Sequence, residues 1–236
     1  MKKIGIIIFA VALVMGLVVS DIFSFGRMSS GLFHFNVDFG TEKGSGKTAT
    51  EHRNVTGFKG IEVGGIFQVE ITAGRDFSVD VEADDNLLRF IKTNVDDGVL
   101  EIETDKRLSS ENPIKVRISA PDINSLDVSG AAHLSLNGLK NSELSVESSG
   151  ASQLKIAGET AKLTVEMSGA SKIDAGELRA SNANIESSGA SHADVNVSEA
   201  LTVDASGASH VTYSGTPTLN KTTSGASGVT QGKSEI

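Results

Sequence analysis

The sequence predicts an all-β protein built as a right-handed parallel β-solenoid with coils of 18–20 residues. The first observation is the phrase Ser-Gly-Ala, which recurs six times within residues 126–231 at glycine-to-glycine steps of 20, 19, 20, 18 and 18. A fixed period of about 20 residues indicates a repeat architecture. The second observation is that apolar and polar residues alternate around each phrase, which is typical of strands.

Each repeat is predicted to hold two short strands joined by a bend. In the first five repeats, apolar residues stand three positions before the repeat serine and five and seven positions after it, as do Leu126, Leu134 and Leu136 in the first repeat. Glycine tolerates the positive φ that a sharp corner requires. We expect equivalent strands to stack in parallel about 4.8 Å apart, with right-handed crossovers. The bend glycines are Gly130, Gly150, Gly169, Gly189, Gly207 and Gly225.

An antiparallel meander or a propeller of repeated hairpins is the alternative fold. A propeller blade needs about 40 residues, so the period of about 20 residues disfavours a propeller.

The last repeat places Lys221 and Gln231 in columns that are otherwise apolar, and we interpret it as a C-terminal cap. A second bend is expected after the second strand, often at a glycine: Gly138, Gly158, Gly176 and Gly215.

The chain begins with a predicted export segment at residues 1–20. Lys2 and Lys3 precede an apolar run at residues 4–19, whose 16 residues suit a signal-peptide core and are slightly short for a membrane span. The run is predicted to form a hydrophobic helix, either a cleaved signal peptide or an N-terminal membrane anchor. Any membrane contact is expected through residues 4–19. A buried cytosolic helix is disfavoured because the run has no polar face.

The rest of the chain divides into a junction and one domain. Residues 21–54 are predicted to be a linker, because they become rich in glycine, serine and threonine. Residues 55–236 form the predicted solenoid domain. Residues 55–125 alternate less regularly; we interpret them as coils of the same solenoid, with a separate sandwich as the alternative. Residues 85–92 are predicted to be a helical turn or a loop over the end.

The composition excludes several functions. The chain has no cysteine, which rules out disulfides, thiolate metal ligands, cysteine nucleophiles and a cysteine-linked lipid anchor. Its net charge of −9 argues against binding to nucleic acid, which needs a basic patch. The same charge argues against electrostatic docking to anionic lipid headgroups. No cofactor is expected.

A polar column lies four residues after each repeat serine and is the candidate binding surface. His192 and His210 fall on adjacent coils, where two imidazoles could share Zn²⁺ or Ni²⁺ with Asp194 or Asp204 as a third ligand. An exposed ladder of polar side chains is the favoured interpretation of this column. Its members are His133, Gln153, Lys172, His192 and His210.

Two serine columns follow the repeat. One contains the first serine of each Ser-Gly-Ala, such as Ser149, and the other contains the serine three residues later, such as Ser152. Stacked hydroxyls can bond to the backbone of the bend, and a hydroxyl-rich surface could contact glycans. A neutral soluble face is the alternative. No Ser-His-acid arrangement repeats, so the chain is not predicted to be an enzyme.

The order of motifs from residue 55 onward resembles that of a known bacterial family. The sequence V-T-G-F-K-G-I-E-V at residues 55–63 leads into the predicted strand Phe67–Ile71. The predicted strands at residues 98–102 and 114–121 follow, and then the Ser-Gly-Ala coils. This order resembles the putative auto-transporter adhesin, head-GIN domain family over about residues 55–232. The resemblance implies an exported β-helical domain of the bacterial cell envelope and no established activity.

These observations favour a non-enzymatic exported protein in the periplasm or at the cell surface. It would act as an adhesin or binding module that presents a rigid, serine-rich surface to a glycan or to another envelope protein. The alternative is a structural solenoid that self-associates end to end into a homo-oligomer, as bactofilin-like filaments do, because open solenoid ends expose strand edges. A glycan-active enzyme is less favoured.

Overall fold

The computed structural model describes residues 40–232, so the predicted export segment at residues 1–20 lies outside the described residues. The strands are β1 (Glu42–Lys43), β2 (Thr48–Arg53), β3 (Gly60–Gly65), β4 (Gln68–Ala73), β5 (Ser78–Asp84), β6 (Ile91–Asp96), β7 (Val99–Thr104), β8 (Leu108–Ser109), β9 (Lys115–Ala120), β10 (Ser125–Gly130), β11 (His133–Ser148), β12 (Gln153–Met167), β13 (Lys172–Ser187), β14 (His192–Ala205), β15 (His210–Ser214), β16 (Thr218–Thr223) and β17 (Gly228–Gln231). A 3₁₀ turn spans Leu88–Phe90.

Two parallel ladders organise the described residues. The first ladder stacks β7, β3, β10, the C-terminal halves of β11 to β14, and β16. The second ladder stacks β9, β4, the N-terminal halves of β11 to β14, β15 and β17. A short third ladder pairs residues 139–141, 158–160 and 178–180. The fold is therefore the parallel β-solenoid that the repeats predict.

The apolar columns read from the sequence form the core. Leu126, Val146, Val165, Ile185 and Val203 stack in register in the first ladder, and each is at most 1% exposed. Their side chains point inward because alternate residues of a strand face opposite sides of its sheet. The columns five and seven positions after the repeat serines are likewise buried through the fifth repeat, where only Tyr213 is partly exposed.

Residues 55–125 contribute both coils and a cap. Strands β3, β4, β7 and β9 lie in the parallel ladders, as predicted for coils of the same solenoid. Strands β6 and β5 instead pair antiparallel to β7 and β9, and β2 pairs antiparallel to β5. The coil made by β3 and β4 lies between the coil of β7 and β9 and that of β10 and β11. The stacking order therefore departs from the chain order.

The 3₁₀ turn and strand β2 lie in segments for which the sequence made predictions. The turn predicted within residues 85–92 is present as the 3₁₀ turn, and Leu87, Leu88 and Ile91 are buried there. The linker interpretation is wrong for Thr48–Arg53, which is an edge strand. This strand carries one apolar residue, Ala49, so its sequence lacks the alternation that marked the other strands.

The second bends use glycine in two ways. Gly138, Gly158 and Gly215 have φ of 76°, 140° and 92°. Gly176 does not adopt positive φ, contrary to the simplest expectation from its position. Its N–H instead donates a hydrogen bond to Oδ1 of Asp174, two residues earlier in β13, at 3.3 Å. This Asx-type contact shapes the bend.

The C-terminal end of the solenoid differs from the N-terminal end. Strand β16 pairs with β14 and β17 pairs with β15, and each leaves its other edge unpaired within residues 40–232. Lys221 follows Val203 in the apolar column and is exposed. A charge placed in an inward column of an edge strand hinders pairing with another strand, which agrees with the predicted cap.

Candidate functional site

The Ser-Gly-Ala corners stack directly on one another. All six bend glycines have φ between 74° and 90°. At each level the alanine N–H donates to the glycine carbonyl of the preceding coil, as from Ala151 to Gly130 at 2.8 Å and from Ala170 to Gly150 at 2.7 Å. The close contact of successive corners fixes the register of the two main ladders and therefore of every side-chain column on their outer faces.

The two serine columns have different environments. Ser152, Ser171, Ser191 and Ser209 are at most 2% exposed, so the interpretation of this column as surface is wrong. These hydroxyls line the inside of the corner. Those of Ser171, Ser191 and Ser209 donate to the carbonyl of the serine three residues earlier, and that of Ser152 bonds to Ser148 Oγ. The Ser209 hydroxyl, for example, donates to the Ser206 carbonyl at 2.8 Å. The first serine of each repeat lies on the outer face, exposed or half-buried.

A column of carboxylates runs beside the outer serines on the first ladder. Within the repeats each member lies two residues before an outer serine, and Glu62 and Glu101 extend the column in register, so all of them point to the same side of the sheet. Each is in register with the next, and none makes an ion pair or side-chain hydrogen bond among the described residues. The column consists of Glu101, Glu62, Asp127, Glu147, Glu166, Glu186 and Asp204. We call this column and the outer serines the serine–carboxylate face.

The electrostatics of this face follow from the spacing. Neighbouring strands lie about 4.8 Å apart, and like charges at that distance repel. Burial by the surrounding strands raises the pKa of the Glu62 carboxyl, and the nearby charges of Asp127, Glu101 and Glu103 raise it further. A shallow hollow of about 610 Å³ extends along the face from Glu62 to Ser206. The face therefore presents hydroxyls and uncompensated negative charge at regular intervals.

The polar column predicted as a binding surface lies on the second ladder. The register joins His133 to Gln153, Gln153 to Lys172, Lys172 to His192 and His192 to His210. All five side chains are exposed or half-buried on the outer face. The column also extends beyond the repeats, because Gln68 pairs with His133 and Lys115 pairs with Gln68. The sequence repeats gave no signal for these two members.

The histidine pair has defined geometry. The rings of His192 and His210 stack with centroids 5.7 Å apart and planes at 4°. His192 Nε2 lies 3.2 Å from Asp194 Oδ2, and His210 Nε2 lies 2.9 Å from Thr230 Oγ1. Asp204 belongs to the carboxylate column on the first ladder, so its suggested role beside the histidines is wrong. Within residues 40–232 no three His, Asp or Glu side chains converge on a metal position.

Together these features define a class of protein: a parallel β-solenoid whose outer faces carry repeated polar columns. The chain belongs to the family described as putative auto-transporter adhesin, head GIN domain, whose model matches residues 57–217. This result agrees with the resemblance drawn from the sequence. Among curated proteins, none matches the chain.

Solved structures share the fold. A putative adhesin from Bacteroides fragilis is 24% identical, with a TM-score of 0.65, over 80% of this chain and 98% of that one. A putative adhesin from Parabacteroides merdae is 18% identical, with a TM-score of 0.52, over 82% and 99%. A structure from Parabacteroides distasonis named as a putative lipid binding protein is 17% identical, with a TM-score of 0.50, over 82% and 100%.

The family bears on activity and location in general terms. The family and these structures are described as adhesin-like or lipid-binding and not as enzymes. An adhesin-like family points to an exported or surface protein. Within residues 40–232, no helix has the length and apolar character needed to cross a membrane. Whether residues 1–20 act as a signal peptide or as an anchor stays a prediction.

Proposed function

We propose that the protein is a non-enzymatic, exported cell-envelope protein of the adhesin type that contacts its partner through the serine–carboxylate face. The observation that supports this proposal is the register of two polar columns along the first ladder, where the carboxylates have no protein partner among the described residues. A face that only keeps the protein soluble does not require the same side chains at each level. A repeated face suits a repeated partner.

The chemistry of the face restricts the partner. Hydroxyls donate and accept hydrogen bonds, and ionised carboxylates only accept them. The face therefore matches a polymer that offers hydroxyl or amine donors at regular intervals, such as an envelope glycan or a donor-rich envelope protein. Acidic polymers would be repelled. Each contact is weak at an exposed site, but contacts repeated along a rigid ladder add up through effective concentration.

Binding to purified envelope material tests the proposal. The full-length protein is applied to a glycan array that includes neutral, amine-bearing and acidic glycans, and is used to capture partners from solubilised envelopes. The test variant is Glu147→Gln/Glu166→Gln/Glu186→Gln, which removes three central charges while keeping side-chain size. The control is Glu111→Gln, an exposed carboxylate outside the column.

The proposal predicts binding to neutral or amine-bearing material that the triple variant weakens and Glu111→Gln leaves unchanged. Binding that is equal for both variants would contradict the assignment of the face. Binding restricted to acidic glycans would contradict its electrostatic basis. If the array and the capture both give nothing, the adhesin proposal itself fails.

A structural role through end-to-end association is the second candidate. The unpaired edges of β16 and β17 favour it. At the other end, antiparallel β6 and β5 cover β7 and β9, which disfavours head-to-tail growth. The antiparallel strands β2 and β6 also leave one edge unpaired, but they do not continue the parallel ladders, so self-association limited to the C-terminal end would stop at a pair. A concentration series in analytical ultracentrifugation separates the cases, because filaments grow without an endpoint and pairs do not.

A further inference from the structure

We propose that the serine–carboxylate face binds the second ladder of another copy of this chain, so that copies associate side by side. This inference rests on the proposed function, because it names the donor-rich partner that the face contacts. The contact surface on the other copy is the polar column of the second ladder, which runs from Lys115 through Gln68 and Lys172 to His210. We call it the donor column.

The carboxylate column and the donor column have the same number of levels and the same spacing. Seven coils, from that of β7 and β9 to that of β14 and β15, each place one carboxylate on the first ladder and one donor-column residue on the second. In the repeats the two are six residues apart, as are Glu166 and Lys172. Both columns rise by about 4.8 Å per level, so those of two copies can meet level for level over about 29 Å.

The two columns are complementary in hydrogen bonding. Ionised carboxylates only accept hydrogen bonds, whereas lysine, glutamine and histidine side chains all carry N–H donors. The donor column contains no carboxylate, so no alignment of the two columns places acid against acid. Within residues 40–232 the side chains of Gln68, His133, Gln153 and Lys172 make no hydrogen bond or ion pair, so they are free to bond across an interface.

The charge of the second ladder also permits this contact. The column beside the donor column contains two cations and three carboxylates: Arg117, Lys155, Glu70, Asp174 and Asp194. In addition, Lys115 is paired with Glu82, and Lys155 with Glu177. This face is therefore close to neutral, and Lys172 is its cation without a carboxylate partner among the described residues.

The third ladder does not offer a comparable surface. Its outer column places Glu159 between Lys140 and Arg179, and the Arg179 guanidinium is paired with Glu159. A carboxylate column laid on the third ladder would meet this acid, and like charges in contact are unfavourable. The donor column is therefore the better match. Because each copy has one face of each kind, the contact is heterologous and can continue from copy to copy.

Sedimentation velocity of the full-length chain over a concentration series tests the proposal. Lys172→Glu places a carboxylate in the donor column and leaves the serine–carboxylate face intact. Glu147→Gln/Glu166→Gln/Glu186→Gln removes charge from that face and leaves the donor column intact. Lys140→Glu makes the same charge change as Lys172→Glu on the third ladder and is the matched control. Thermal unfolding checks that each variant is folded.

The wild type and Lys140→Glu should self-associate equally, and each test variant should associate at least about tenfold more weakly, since opposed like charges or lost acceptors weaken the contact. An equimolar mixture of the two test variants should form a discrete pair, because one retains the carboxylates and the other retains the donor column. A wild type that stays monomeric, or a mixture that does not pair, would overturn the proposal. Association that no variant changes would also overturn it, because it would place the contact elsewhere, as at the ends of the solenoid.

The glycan array distinguishes failure of this proposal from failure of the proposed function. Lys172→Glu retains the serine–carboxylate face, so any array binding through that face should remain in this variant and weaken in the triple variant. That array result with a monomeric wild type would overturn only the assignment of a second copy as the partner. If neither self-association nor array binding depends on the three glutamates, both proposals fail.

Discussion

Gly169 lies directly over Gly150 in the stack of corners, and a Cβ atom added to Gly169 would be 2.5 Å from the Gly150 carbonyl oxygen. Gly169 also has φ of 78°, a conformation that β-branched residues avoid. The corner therefore restricts this position through both space and backbone angle. The same contact recurs along the corner, where a Cβ at Gly189 would be 2.5 Å from the Gly169 carbonyl oxygen.

Gly169→Val should destabilise the protein by about 3 kcal/mol, from backbone strain and overpacking together. Thermal or denaturant unfolding measures the loss. Gly176→Ala is the matched control, because Gly176 lacks positive φ and its nearest added-Cβ contact is an ordinary 3.6 Å to Asp174. This control should change stability by less than about 0.5 kcal/mol. An unchanged melting temperature for Gly169→Val would contradict the corner geometry.

The buried hydroxyls inside the corner give a second prediction. Ser191 is 2% exposed and bonds to Ser187 Oγ at 2.8 Å and to the Ser188 carbonyl at 3.0 Å. Ser191→Ala should cost about 1–3 kcal/mol because it leaves buried partners unsatisfied. Ser187→Ala/Ser191→Ala should cost less than the sum of the single changes, since it removes both hydroxyls of the pair.

Urea unfolding of the two single variants and the double variant measures this coupling. Ser188→Ala is the control, because Ser188 is exposed and its hydroxyl makes a 3.3 Å bond to the Met167 carbonyl. A strictly additive double variant would show that the two buried hydroxyls do not act as a pair.

The raised pKa of Glu62 predicts a specific pH dependence. Because the folded protein holds this proton to higher pH than the unfolded chain, the stability contributed by Glu62 falls as pH rises above the ordinary glutamate range. Glu62→Gln should therefore be more stable than the wild type at pH 7, with the difference reduced by salt. Below about pH 4 the difference should close, because the carboxyl is protonated in both states.

Unfolding measured from pH 3 to pH 8 at two salt concentrations provides this test, with Glu111→Gln as the control. A Glu62→Gln variant that is less stable at pH 7 would mean that the carboxylate has a stabilising partner.

Asp84 should show the opposite pH dependence. It is 1% exposed and accepts hydrogen bonds from Asn112 Nδ2 at 2.7 Å, Ser110 Oγ at 2.8 Å and the Gly46 N–H at 3.2 Å. These donors, led by Asn112, lower the pKa of Asp84. Its stabilising effect is therefore complete above the ordinary aspartate range and is lost as pH falls through the lowered value.

Asp84→Asn replaces one carboxylate oxygen by an amide group that donates, and this group would face the donors that bond to Asp84. The melting temperature of the variant should therefore be lower than that of the wild type at pH 7. The difference in melting temperature should become smaller in acid, because the wild-type carboxyl is then protonated. Asp85→Asn is the control, because Asp85 is exposed and accepts a bond from the Ser45 hydroxyl. Equal decreases in melting temperature for the two variants at pH 7 would show that the buried contacts of Asp84 do not stabilise the fold.

The sequence predicted the coils and their buried columns, but not every feature that repeats. The column of Leu126 and its equivalents followed from the period alone, since each repeat places one apolar residue there. The carboxylates from Asp127 to Asp204 also repeat in the sequence, always two residues before the repeat serine, but we did not predict that they form a column. The places of Glu62 and Glu101 in this column could not be predicted from the sequence, because β3 and β7 lie outside the repeats and stack out of chain order.

The inner serines show a different limit of sequence reading. A serine in a strand pattern is expected on the polar side, and the interpretation of the column containing Ser152 followed that rule. The structure buries this column because the corner turns the backbone carbonyls inward, where hydroxyls can satisfy them. The deciding interaction is local to the bend, and the alternation of a strand does not reveal it.

Site-specific photo-crosslinking in the cells that make the protein tests whether the serine–carboxylate face is the contact surface. A photoreactive amino acid is placed at Ser168 on the serine–carboxylate face or at Lys140 on the third ladder, both of which are exposed. We expect a discrete adduct with an envelope component from Ser168 and none from Lys140. An adduct from Lys140 alone, or no adduct from Ser168, would contradict the assignment of the serine–carboxylate face as the contact surface.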